Sequence, residues 1–350
     1  MTLLTREPRF NSVEAAYSFM KERLGAILPD SEIKYKAGLV YEIEQLKCKR
    51  GAVILGHNYM EPALFQTIPD YVGDSLELSR IAAKLENEII IFCGVRFMAE
   101  TAKILNPTKK VLLPAEVAGC SLASSITADD VKKLKQQYPD VPTIAYVNTY
   151  ADLKAEIDIC CTSGNAKKVV ESFNDKAVIF LPDQYLARNV AAETGRKFLL
   201  AGEEIPNDDQ KYLIGWQGLC EVHEQFTVED INNARKQYPD VVVLSHPECS
   251  PEVVKASDYS ASTSKMVAYA KETKAKRLLV LTECSMGDNI AAENPDKELL
   301  RMCAIRCPHM HEITLEDTLK ALKEDYQEII VPEEIRVRAK VSLERMIAIG

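Results

Sequence analysis

The chain has 350 residues, of which 47% are hydrophobic and 27% charged, with a formal net charge of −9. That length suits two or three compact units of ordinary globular composition. The negative balance speaks against a nucleic-acid backbone or an anionic membrane as partner, and leaves room for small anions held by a locally positive pocket.

The first thirty residues carry Arg6, Glu7 and Arg9 and no apolar core of signal-peptide length. No apolar run approaches the roughly 18 residues of a membrane span. A cytoplasmic protein is expected. The ten cysteines suit a reducing compartment rather than a secreted disulfide framework, and adjacent Cys160 and Cys161 make a poor disulfide pair.

A helical stretch over 33–47 leads to the apolar run AVILGHNY (52–59), which reads as a strand buried on both faces of a parallel sheet. Asp74-Ser75 then opens a helix, EIIIFCG (88–94) forms a second strand, and another helix follows. ITADDVKKLKQQYPD (126–140) begins a second copy, and FTVEDINNARKQYPD (226–240) matches it at an offset of 100 residues. In each, a threonine three residues ahead of an aspartate (Thr127/Asp130, Thr227/Asp230) forms a capping-box pattern, and Tyr-Pro-Asp closes the helix. Strands follow at VPTIAYVN (141–148) and VVVLSHPE (241–248). Hydroxyl clusters come next, at 162–165 and 262–264, and then strands KAVIFLP (176–182) and RLLVLTE (277–283).

Each copy is a βαβα unit, which predicts an α/β protein. Three tandem, similar three-layer αβα domains with parallel sheets are expected, pseudo-threefold around a central active site. Residues 1–125 hold the first repeat with a helical N-terminal extension, 126–225 the second, and 226–312 the third. Residues 313–350 form C-terminal helices packing back on the first.

Three of the cysteines occupy one place in the repeat. Cys120, Cys220 and Cys307 each stand six residues before the phrase [IF]-T-x-[DE]-D, which begins at Ile126, Phe226 and Ile313. Three equivalent thiols on three equivalent units can meet at one point and ligate a metal. One form is a closed, structural Cys3His zinc site with His223, His309 or His311. The other is a [4Fe–4S] cluster with one iron left open as a Lewis acid. No C-x-x-C pair indicates a zinc ribbon, and Cys303 lies outside the repeat, a neighbour rather than a ligand.

In parallel α/β sheets, ligands bind beyond the carboxyl ends of the strands. His57 and Tyr59, Tyr146 and Asn148, and His246 and Glu248 occupy matching strand ends. A carboxylate, two imidazoles and a phenol there form a general acid/base set. Glu248 is the natural base, the more so where burial raises its pKa, and Tyr59 a proton donor or relay. Ser75, Ser163, Ser262 and Thr263 open helices, where a hydroxyl serves as an N-cap or as part of an anion site. No Ser-His-Asp or Cys-His nucleophile arrangement stands out, and there is no P-loop or G-x-G-x-x-G.

Longer phrases resemble one family. GHNYMEP (56–62), GDSLELS (73–79), GVRFMAETAKILNP (94–107), YVNT (146–149), TSGNA (162–166), GLCEVHEQF (218–226), SHPECSPEV (245–253) and AST (261–263) are similar to quinolinate synthase, the iron–sulfur enzyme of de novo NAD (pyridine nucleotide) biosynthesis. The resemblance covers about residues 38–345. It implies three α/β domains around a central site, and a transferase-type condensation of iminoaspartate with dihydroxyacetone phosphate to quinolinate, phosphate and water. It implies Cys120, Cys220 and Cys307 as ligands of a [4Fe–4S] cluster, and His57, Tyr59, His246 and Glu248 as acid/base residues. Tyr146, Asn148, Ser163, Ser262 and Thr263 match positions that hold substrate carboxylate or phosphate, and Ser75 and His223 match further active-site positions. An L-aspartate oxidase is the candidate supplier of iminoaspartate. Where some family members carry C-x-x-C-x-x-C, this chain has Cys303-Ala-Ile-Arg-Cys307, so a regulatory disulfide is not implied. Two other readings stay open: a phosphorylated-metabolite binding protein locked by structural zinc, and a different iron–sulfur dehydratase.

Overall fold

The computed structural model describes residues 7–302 and 304–349, and these form an α/β protein with three parallel sheets. The first sheet contains β1 (Ala52–His57), β2 (Tyr71–Gly73), β3 (Ile89–Cys93) and β4 (Lys110–Leu112), in the order β2-β1-β3-β4. The second contains β5 (Thr143–Tyr146), β6 (Ile159–Cys161), β7 (Ala177–Leu181), β8 (Lys197–Leu200) and β9 (Tyr212–Gly215), in the order β6-β5-β7-β9-β8. The third contains β10 (Val242–Ser245), β11 (Tyr259–Ser260), β12 (Arg277–Leu281) and β13 (Glu298–Arg301), in the order β11-β10-β12-β13.

The first and third sheets thus share one order. The second repeats it with an extra edge strand, β8, in the connection between β7 and β9. β1, β5 and β7 are buried at every residue. Side chains covered on both faces require helices above and below, and the crossovers between parallel strands supply them. Two strands per copy were expected, and the structure has four, five and four. Most of the added strands run only two to four residues. Too short to show a periodicity, they pair because the long strands present a ready edge.

The capping boxes form as the sequence predicts. Asp130 N donates to Thr127 Oγ1 at 3.2 Å while Thr127 N donates to Asp130 Oδ2 at 3.1 Å. The second copy repeats this at 3.2 and 2.8 Å. Asp317 N likewise donates to Thr314 Oγ1 at 3.0 Å. The helix Leu315–Glu324 packs on Asp30–Arg50, with the Thr318 hydroxyl against Cys93. The last helix, Glu333–Ile349, lies against Ala151–Lys154, β6 and Arg96–Leu105. Among the described residues no helix is long and apolar enough to cross a membrane.

Candidate active site

The carboxyl ends of β1, β5 and β10 open onto one cavity, with about 70 Å3 of internal space for water-sized molecules. Its lining includes Cys120, Cys220 and Cys307, and His57, Tyr59, Ser75, Tyr146, Asn148, Ser163, His223, His246, Glu248 and Thr263. Of the residues singled out in the sequence, Ser262 stands behind the wall, buried beside Gly164, and His309 and His311 are not part of the lining either. Cys303 lies outside the described residues. A larger groove of about 680 Å3, beside Tyr138, Phe173 and Arg345, holds none of the repeated cysteines.

Each cysteine precedes a short helical turn: Ser121–Ser124, His223–Gln225 and Pro308–His311. In each, the backbone N–H groups two and three residues on point at the sulfur: Leu122 and Ala123, Val222 and His223, His309 and Met310. The repeat therefore carries a local geometry that favours a thiolate. Burial works the other way. It pushes Cys120 and Cys307 up to about 12, and Cys220 well above its ordinary value. None of the three is in a disulfide. Buried thiols fitted with thiolate-stabilising amides, converging from three loops, suit a metal centre, because a coordinated metal deprotonates a thiol outright. Gly218 sets the Cys220 loop: a Cβ there would lie 2.4 Å from Ser125 Oγ and 2.7 Å from Pro182 O.

Two strand-end loops share one device. Tyr59 N donates to His57 Nδ1 at 3.2 Å, and Glu248 N donates to His246 Nδ1 at 3.4 Å. Burial holds both imidazoles neutral, with pKa values lowered to about 4 for His57 and about 3 for His246. With Nδ1 accepting, the proton of each sits on Nε2. In His246 that nitrogen meets Ser163 Oγ at 3.2 Å.

A line of hydrogen bonds joins the residues expected to act as acid/base groups. His223 Nδ1 lies 2.8 Å from Glu248 Oε2, and its Nε2 lies 2.9 Å from Thr282 Oγ1. Thr282 Oγ1 is 2.5 Å from the Tyr59 hydroxyl, and the Tyr146 hydroxyl donates to Glu248 Oε1. The proton directions are consistent along the line. Tyr59 donates to Thr282, Thr282 to His223 Nε2, and His223 Nδ1–H to the carboxylate.

The expectation that burial would raise the Glu248 pKa is overturned. Burial pushes it up, but His223, His246 and the Tyr146 hydroxyl outweigh that and hold it down at about 2. Burial and the Glu248 charge raise Tyr59 and Tyr146 well above 10, so both phenols stay protonated. They also push the buried Asp183 carboxyl well above the carboxylate range, burial first, and its Oδ2 has no hydrogen-bond partner.

Sequence reasoning missed Thr282 and Asp183. Both end strands that it had recognised, so the strand-end rule could have found them. Thr282, His223 and Glu248 also form a hydroxyl–imidazole–carboxylate line that only the fold assembles, since Thr282 and His223 lie 59 residues apart in sequence. The locally positive pocket expected for small anions is not built from charged side chains. Among the described lining residues there is no lysine or arginine. The donors available to an anion there are imidazole N–H groups, hydroxyls and the helix starts at Ser75 and Thr263. Those hydroxyls are not consumed as caps: Asp74 caps the first helix, and Ser262 makes no side-chain cap bond. Of the imidazoles considered for a zinc, His223 is engaged on both nitrogens, His309 Nε2 meets Glu221 at 3.1 Å, and His311 Nε2 meets Glu283 at 3.2 Å. Cys220, His223 and Glu248 form a close metal-capable group, with ligand atoms within 4.8 Å of one another.

Parallel α/β sheets with an acid/base line and a thiol triad at their strand ends are the architecture of an enzyme with a buried catalytic centre. Residues 41–348 match the family model of the quinolinate synthetase A protein. The chain is 46% identical to quinolinate synthase 2 of Mesorhizobium japonicum, over 97% of this chain and all of that protein. It is 48% identical to quinolinate synthase of Agrobacterium fabrum, over 94% of this chain and 90% of the relative. It is 50% identical to that of Xylella fastidiosa, over 88% and 86%. The chain belongs to the quinolinate synthetase A family.

Proposed function

We propose that this enzyme condenses iminoaspartate with dihydroxyacetone phosphate to quinolinate, releasing phosphate and water. The observation that carries this is one cavity in which three thiols face a Tyr–Thr–His–Glu–Tyr hydrogen-bonded line. A [4Fe–4S] cluster held by Cys120, Cys220 and Cys307 would supply an open iron as Lewis acid for a substrate oxygen.

Glu248 is the base. Ionised and buried, it takes a substrate proton without first losing one of its own. Tyr59 delivers a proton to a departing oxygen, and the Thr282 hydroxyl can then turn to donate a hydrogen bond to the phenolate left behind. His57 donates from Nε2 to a substrate oxygen, and His246 acts through the Ser163 hydroxyl that its Nε2 meets. Ser75, Ser163 and Thr263 offer hydroxyls at helix starts, where carboxylate and phosphate are favoured, with Ser262 supporting from behind. Asn148 has a buried Oδ1 without a partner, suited to a substrate donor, and Tyr146 fixes Glu248. Closure of the site over its substrates would keep water from reactive imines. Iminoaspartate is unstable in water, so an L-aspartate oxidase is the natural supplier.

The test is anaerobic metal and sulfide analysis beside an assay with both substrates. About four iron and four sulfide per chain, with quinolinate formed, are expected. Cys120→Ala, Cys220→Ala and Cys307→Ala should each abolish the brown chromophore, and a variant retaining full iron and sulfide overturns that ligand set. A colourless protein with one zinc and no product supports instead a binding protein for a phosphorylated metabolite. A full cluster without quinolinate formation points to a different dehydratase.

A further inference from the structure

Two asparagines at one place in the repeat reach across to the loops that carry the acid/base residues. Asn289, on the helix Cys284–Glu293, donates from Nδ2 to Asn58 O at 3.2 Å and to Met60 O at 2.8 Å. Asn189, on the helix Gln184–Thr194, donates from Nδ2 to Pro247 O at 2.8 Å and to Cys249 O at 3.0 Å. The two stand 100 residues apart, in R-N-V-A-A-E and D-N-I-A-A-E, and both are buried. Each follows by six residues the carboxylate that caps its own helix, Asp183 or Glu283. The carbonyls they hold bracket Tyr59 in one loop and Glu248 in the other.

A carboxamide with both N–H groups on loop carbonyls fixes two peptide planes at once, and so fixes the direction of the side chain between them. The orientation of Asn289 is set by those carbonyls alone, since its Oδ1 finds no hydrogen-bond partner. Turning it over would place oxygen against oxygen. The first sheet's helix makes a third such reach with opposite polarity. Glu100, on Arg96–Leu105, accepts from Ala151 N at 2.9 Å, just beyond the Tyr146–Asn148 strand end. The helix of each sheet thus holds the strand-end loop of the next, and the third holds that of the first.

We propose that Asn189 and Asn289 are positioning residues for Glu248 and Tyr59, each acting from a neighbouring sheet through the loop it clamps. This rests on the acid/base reading given above. Misplacing a reacting group by about 1 Å costs on the order of a hundredfold in rate, whereas groups that only bind substrate are left in place.

The experiment uses the cluster-loaded enzyme with Asn189→Asp and Asn289→Asp, which keep shape and lose both donors, and with Asn189→Ser and Asn289→Ser as smaller variants. Hydrogen exchange reads the clamp without activity. Asn289→Asp should loosen the segment 57–60 and leave 246–249 protected, and Asn189→Asp the reverse. Steady-state kinetics, corrected for the folded fraction, should show a kcat loss of fivefold or more with KM for both substrates within about threefold. Smaller losses, losses wholly in KM, exchange that rises equally in both loops, or failure of all four variants to fold would each overturn the positioning role. Wild-type enzyme that forms no quinolinate while the reciprocal exchange pattern holds would overturn the reaction and keep the clamp.

Discussion

The loops His57–Met60 and His246–Cys249 are the same structure carrying different acids. In both, a neutral histidine accepts the N–H two residues on, and in both an asparagine from another sheet grips the carbonyls. The residue at the third place is Tyr59 in one and Glu248 in the other. Burial, helped by the Glu248 charge, raises the phenol and keeps it protonated. Around the carboxyl, the imidazoles and the Tyr146 hydroxyl overcome burial and keep it ionised. One repeated backbone therefore presents a protonated phenol and an ionised carboxylate to one cavity, the separation of pKa values that the proposed roles of donor and base require.

Removing the acceptor should hurt more than removing the donor. Glu248→Gln keeps the shape and removes the base, so quinolinate formation should fall roughly a thousandfold while iron and sulfide stay at wild-type levels. Tyr59→Phe removes a proton that Thr282, still bonded to His223, can partly supply, so the loss should be roughly a hundredfold. Turnover measured at fixed cluster content decides. Equal losses would dissolve the contrast between the loops, and unchanged turnover in Glu248→Gln would remove it from the mechanism.

The shared histidines give a smaller, paired effect on stability. Their folded pKa values, about 4 and about 3, lie below the ordinary 6.5, so below that pH the unfolded chain binds protons that the folded chain refuses. Their contribution is intact above about pH 6.5 and is lost as the pH falls towards those values. Glu248 adds its own loss only below its ordinary 4.5, towards 2. Between pH 7.5 and 5, denaturant titration should therefore show about 2 kcal/mol lost per histidine, before the carboxylate enters. His57→Asn and His246→Asn should each remove about half of that slope. A slope unchanged in both would place the titrating groups elsewhere.

Much of this was legible because the repeat preserves positions. The long apolar runs marked β1, β3, β5, β7, β10 and β12, and the common offset of Cys120, Cys220 and Cys307 marked one cavity wall before any coordinates. What stayed hidden depends on contacts between sheets. Thr282 matters because Tyr59 and His223, far away in sequence, meet at its hydroxyl. The Glu248 pKa fell rather than rose because His223 and Tyr146, from other segments, join His246 of its own loop around the carboxylate, which no local pattern encodes. β2, β6 and β11 are two or three residues each and exist only as partners of longer neighbours.

Where the repeat keeps the residues as well as the backbone, it should keep the energy. Thr127 and Thr227 cap helices of ten residues with the same two bonds to Asp130 and Asp230, at exposed positions outside the cavity lining. Thr127→Ala and Thr227→Ala each leave a helix-start N–H to water and should cost about 1 kcal/mol. The two losses should agree within a few tenths and add in the double variant, because the caps share no partner. Turnover should not change. Urea titration of the three variants checks this. A twofold disparity would mean that neighbouring packing, and not the cap, sets the energy, and the same geometry could then no longer be read as the same contribution in the cysteine turns that precede these helices.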